Sequence, residues 1–301
     1  TNGVITAATT AALTGKSYAS SISSNAGITA GGDITIDGTS GTTGGDWSLN
    51  LTNAATIQST AGNITISGQG AHGVYLNQTL IAGNSTTTPT AGGSISITGI
   101  AKRYDGGYYG LQIVQPIRAW GAINIYGEVA PVATANWWTL ADTLVGDGVY
   151  INAAIRSFGS SLTIVGYSSG AQGIQTLAAA TLQAADFITL IGKGSDNGIL
   201  TAASVTAVND ITVDAEVAPT RGAWGLNWGG GINAITQSTV GDILMSGKGG
   251  HGAYINQTIV AGNNTTTPTS GGAISISGIG NLTTGGSVSY THLRAHETRE
   301  D

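Results

Sequence analysis

Residues Gly70–Ile100 read GAHGVYLNQTLIAGNSTTTPTAGGSISITGI, and Gly249–Ile279 read GGHGAYINQTIVAGNNTTTPTSGGAISISGI, 179 residues on and without a gap. Most of the differences exchange one small apolar or small polar residue for another. A repeat this close dictates architecture, so the rest of the chain is read outward from it. Each copy holds three short segments: GVYL or GAYI, then Leu-Ile or Ile-Val among small neighbours, then SISI. Gly, Asn and Pro stand between them.

The last of these segments recurs throughout. Apolar residues at alternate positions appear at Ile34/Ile36, Ile64/Ile66, Ile95/Ile97, Ile123/Ile125, Leu162/Ile164, Ile188/Leu190, Ile211/Val213, Ile243/Met245 and Ile274/Ile276. Period-two alternation of β-branched residues reads as a half-buried strand. A second ladder places Gly before an apolar residue, as in Gly73-Val74, Gly110-Leu111, Gly148-Val149 and Gly225-Leu226. A third carries one apolar residue before a small turn: Ile57, Ile81, Ile117, Ile155, Leu182, Val205, Ile235 and Val260. The order is always second, third, first, which excludes the hairpins of a sandwich or barrel. Like segments stack on like, in parallel. The reading is all-β, a parallel β-helix (solenoid) of about nine three-strand coils with loop insertions. Ile64, Ile66, Ile95, Ile97, Ile123 and Ile125 are expected to point inward, since a one-residue slip would turn every one outward.

Insertions supply the variation. NSTTTPT (Asn84–Thr90) and NNTTTPT (Asn263–Thr269) lengthen the same turn, and Val132–Val145 is a longer excursion. Residues 1–286 read as one repeat domain, an interior piece of a longer chain whose remaining coils would be its neighbours. Ser287–Asp301 holds five charged residues in fifteen, against twenty-one in the preceding 286. That stretch is similar to read-through of sequencing-adapter DNA, and reads as a non-native or unstructured tail that does not extend the stack.

Composition narrows the function. Charged residues make up only 9%, and the formal charge of −6 is spread along the chain with no basic stripe for nucleic acid. Cysteine is absent, so neither disulfides nor thiolate metal sites are available. No apolar run reaches the roughly eighteen residues that a membrane helix needs, so no direct membrane insertion is expected. No cofactor signature is present.

The tandem GVYL, xIxAG and GxIxIxG units, rich in Ser, Thr, Asn and Gly, resemble bacterial surface exoproteins across Ile22–Gly286. The resemblance is to autotransporter passengers and filamentous-haemagglutinin-like adhesins. It implies a right-handed β-helix, a place outside the cell or on the bacterial surface, and a shaft or adhesin role without enzymatic activity. The partners it implies are a host surface glycan or matrix protein. The alternative is a carbohydrate-active parallel β-helix enzyme, a polysaccharide lyase or glycoside hydrolase. No GxSxG and no Ser/His/Asp set supports catalysis.

Particular residues carry the remaining expectations. Six tryptophans, Trp47, Trp120, Trp137, Trp138, Trp224 and Trp228, suit either carbohydrate stacking or capping of the interior. Trp137 and Trp138, with Asp142 and Asp147 as polar neighbours, form the candidate binding site, because a loop on a rigid repeat can add contacts without disturbing the core. His72 and His251 occupy one repeat position and read as turn residues bonded to backbone. Asp210 and Asp242 precede Ile-ladder strands on adjacent coils. They could share a cation with backbone oxygens, or each could be an Asx residue bonding to its own turn.

Overall fold

The structure is a computed structural model that describes residues 4–42, 45–102, 108–129, 146–217, 223–229, 233–265, 267–280, 289–290 and 293–295, the last two stretches by backbone alone. The described residues form three parallel sheets of eleven, ten and ten strands and no helix. Each strand pairs with the strand three places on, so the chain winds through sheets A, B and C once per coil and returns in register. This is a β-solenoid of about nine turns.

Sheet B carries the Ile ladder. Ile64 pairs with Ile95 and Ile95 with Ile123, while Ile66, Ile97 and Ile125 form the next column. All six are buried, as the alternation requires. Each fully buried Ile contributes about 1.5–3 kcal/mol relative to leaving it in water. Sheet B also holds one strand that the Ile pattern missed, Ala11–Lys16, where Ala11 and Leu13 replace the two isoleucines.

The third ladder shifts by one residue in three coils. On sheet A the column runs Ile57, Leu80, Ile117, Ile155, Leu182, Val205, Thr236 and Ile259, not Ile81, Ile235 and Val260. Ile81 and Val260 sit on the outer face and are nonetheless buried. Their coils carry the Asn84 and Asn263 insertions, and Pro89 and Pro268 pack against Gly83 and Gly262 at the bases of those loops. In each loop the Asn caps the turn: Asn84 Oδ1 accepts from the Thr90 N–H at 3.0 Å, and Asn263 Oδ1 from the Thr269 N–H at 3.0 Å. Thr236 points inward because its hydroxyl accepts from Trp228 Nε1 at 2.8 Å, which satisfies the one polar atom of a fully buried indole.

The glycine ladder marks where the end of sheet B passes the start of sheet C. A Cβ at Gly148 would collide with the Tyr167 backbone N, and one at Gly198 with that of Glu216. The glycines are there for close backbone approach.

Ser289–Tyr290 and Leu293–Ala295 pair in parallel with the last strands of sheets C and A. Two short pieces of the 287–301 tail therefore prolong the stack, against the expectation drawn from composition. Backbone pairing needs only an extended chain over an open sheet edge, and charge content does not report that.

Candidate functional site

Just ahead of each sheet C strand, or at its first residue, one side chain per coil occupies the same place. Trp47 pairs with His72. The register Val74–Leu111–Val149–Ile174–Ile199–Leu226 then sets Tyr109, Asp147, Gln172, Asn197 and Trp224 in line two residues earlier. His251 follows, paired with Trp224. The position falls at the corner where sheet B gives way to sheet C, and strict alternation breaks there: Trp47, His72, Trp224 and His251 are half-buried, while the two residues that follow each of them are both buried.

The first part of this column is aromatic. The Trp47 and His72 rings stack at 4.4 Å with planes 24° apart, and Tyr109 lies nearly parallel to Trp47 at 6.3 Å. Tyr75 reaches Trp47 at 5.4 Å, Tyr108 reaches His72 at 4.5 Å, and Tyr150 meets the edge of Tyr109 at 5.9 Å. All six rings are half-buried, so each keeps an exposed portion. His72 Nδ1 accepts from the Tyr109 backbone N–H at 3.3 Å, the backbone-bonded role expected of a turn histidine, reached across coils.

Asp147 closes this station. It is 3% exposed, and its Oδ1 accepts from the Gln172 backbone N–H at 3.2 Å. Burial raises its pKa from 3.8 to about 7; the Gln172 bond opposes the rise and the Asp196 charge adds to it. Burial first, then the charges of Asp147 and Tyr150, also raise the Tyr109 phenol above its ordinary value. The carboxyl is thus a proton-switchable group beside a phenol, at the edge of an aromatic surface.

The station recurs. Trp224 contacts His251 at 4.8 Å and Tyr254 at 5.5 Å, reproducing Trp47, His72 and Tyr75 six coils further on. Six coils at about 4.8 Å place the two roughly 29 Å apart. At the column position before Trp224 stands Asn197, an amide where the first station ends in a carboxyl.

The other expected residues divide three ways. Trp137, Trp138 and Asp142 lie outside the described residues. Trp228 is a core residue and Trp120 is exposed. Asp210 and Asp242 do lie on adjacent coils, but neither bonds its own turn in the manner expected of an Asx residue. Asp210 Oδ1 accepts from the Asp242 N–H at 2.8 Å, and Asp242 Oδ1 from the Ala273 N–H at 2.7 Å. Asp33 and Asn63 bond the next coil in the same way. A flat strand corner leaves one N–H per coil facing the coil before it, and a short Asx side chain is the right length to satisfy that donor. No group of three or more His, Asp or Glu able to hold a metal occurs among the described residues.

The sequence held a signal for the station. Trp47-x-Leu49-x-Leu51 has the alternation of His72-x-Val74-x-Leu76, but Ser48 replaces the glycine that defines the ladder, so the coil escaped it. No family model, curated protein or solved structure matches the chain.

Proposed function

We propose that the chain is a non-enzymatic shaft segment of an exported bacterial surface protein, of the kind found in autotransporter passengers and filamentous-haemagglutinin-like adhesins. Its aromatic stations hold a host surface glycan or matrix protein outside the cell. The observation that carries this reading is the recurrence of the Trp–His–Tyr station on one face of the rod. Half-exposed aromatic faces suit the C–H faces of sugars, and a solenoid keeps its stations at fixed spacing because each coil contacts only its neighbours. The Ser, Thr and Asn of the outer sheet B face fit a solvated shaft.

The test is a glycan and matrix-protein binding screen on wild type and on Trp47→Ala/Trp224→Ala, with thermal unfolding of both. The reading expects a glycan signal that the double substitution removes while the unfolding midpoint changes little. Binding that survives it would end the assignment. Trp137→Ala/Trp138→Ala in the same screen asks whether the Val132–Val145 insertion contributes.

One observation favours the enzymatic alternative, a polysaccharide lyase or hydrolase. Asp147 has a pKa near neutrality, which a general acid requires, and Asp196 is close enough to raise it. Release of reducing or unsaturated ends from a polysaccharide panel, abolished by Asp147→Asn, would move the protein to that class.

A further inference from the structure

Sheet A carries a second surface feature, unrelated to the aromatic column. The segments Ile117-Arg-Ala-Trp-Gly121 and Ile155-Arg-Ser-Phe-Gly159 pair in register, so Arg118 lies directly beside Arg156 on the outer face. Like charges opposite one another on neighbouring strands repel, and at one coil rise of about 4.8 Å the repulsion is close. Among the described residues neither arginine has a carboxylate within ion-pair distance. Asp186, in the turn of the following coil, is engaged instead by Asn209 Nδ2 at 2.7 Å. The chain as a whole is acidic, so an uncompensated pair of guanidinium groups stands out against its surroundings.

One member of the pair also packs on an aromatic ring. The Arg156 guanidinium carbon lies over the Phe158 ring at 4.2 Å. On the same two coils Trp120 is 38% exposed and rests against Gly159, where a side chain would displace it. The coil before carries the Asn84–Thr90 loop, and the register neighbour of Arg118 there is the buried Ile81. On the coil after, the register neighbour of Arg156 is the neutral Gln183. The result is a short cationic step with an exposed indole at one end and a loop along one side.

We propose that this step binds an acidic polysaccharide through the carboxylates of its uronic acid units. The planar guanidinium fork matches a carboxylate with two parallel N–H···O bonds, and an exposed indole next to it suits a pyranose face. The bound anion would supply the countercharge that the two arginines lack in the free protein. The inference goes beyond the shaft reading and concerns a different sheet.

Calorimetric titration of the full chain with an oligogalacturonate tests it, at low and at high salt. Its carboxyl-reduced counterpart and a sulfated dextran oligosaccharide serve as comparison ligands. Wild type should bind the oligogalacturonate, less tightly as salt rises, and should not bind the reduced sugar. Arg118→Gln/Arg156→Gln should weaken binding at least ~tenfold, the loss expected for one charge-assisted bond or more. The same variant should unfold at the same or a higher temperature than wild type at low salt, since a repulsion is removed. Absence of oligogalacturonate binding, equal binding of the reduced sugar, or binding unchanged in the double variant would overturn the proposal. Tighter binding of the sulfated sugar would overturn the carboxylate assignment.

Discussion

The two copies of the opening stretch share a scaffold and differ in what surrounds it. In the first, His72 and Tyr75 belong to a station of six aromatic rings that runs into the buried carboxyl of Asp147. In the second, His251 and Tyr254 meet Trp224 alone among the described rings, and Asn197 precedes it. The duplication therefore sets strand register, loop shape and the His–Tyr pair, while the tryptophan of each station, Trp47 or Trp224, lies outside it. Residues outside the duplicated stretch decide how large each station is and whether it carries a titrating group. Four comparisons probe that division.

The largest effect belongs to the interior. Ile97 and Ile276 are equivalent positions 179 residues apart, but Ile97 is buried between two neighbouring coils and Ile276 is half-buried. Ile97→Ala should cost about 2–5 kcal/mol by denaturant unfolding, and Ile276→Ala clearly less. Equal losses would mean that the last described coil is as well covered as the middle of the rod.

Asp147 gives the next. Folded, it keeps its proton up to about pH 7; in the unfolded chain it would release it near 3.8. Between those values the folded state holds the extra proton, so this group makes stability fall as pH rises from about 4 to about 7. Asp147→Asn should remove that slope, and should be more stable than wild type above pH 7 by on the order of a few kcal/mol. Below pH 4 the two should unfold alike. A wild-type pH profile identical to that of the variant would show that Asp147 ionises normally.

A third comparison sets Trp47→Ala against Trp224→Ala in glycan binding. The first station offers more aromatic surface, so its loss should weaken binding about tenfold and the second several-fold less, in keeping with about 1 kcal/mol or more for an aromatic contact. The smallest effects belong to the loops. Asn84→Ala and Asn263→Ala remove the same cap and should each cost about 1 kcal/mol. A large difference between them would show that the duplicated loops are not equivalent.

Much of this was legible in the residues. The Ile-x-Ile pattern specifies sheet B because burying one face leaves only one register, and the glycine ladder follows from backbone contact. Three positions on sheet A misled for physical reasons. Ile81 and Val260 are outward yet buried on the two coils that carry the Asn84 and Asn263 insertions, and inward Thr236 gives an indole N–H its acceptor. The aromatic column was hidden for another reason. Its members lie 25 to 38 residues apart and differ in type from coil to coil, so only the register brings Trp47, His72, Tyr109 and Asp147 together. Arg118 and Arg156 follow ladder residues that the sequence does reveal, Ile117 and Ile155, and a reading of outward positions on all three ladders would have found them.

The most direct test concerns the paired stations. For the glycan recovered in the binding screen, affinity is measured against chain length on wild type, Trp47→Ala and Trp224→Ala. If both stations grip one polymer, affinity rises steeply once the chain can span roughly 29 Å, and either substitution removes that rise. Affinity that is independent of length, or that neither substitution changes, would contradict a glycan-holding shaft.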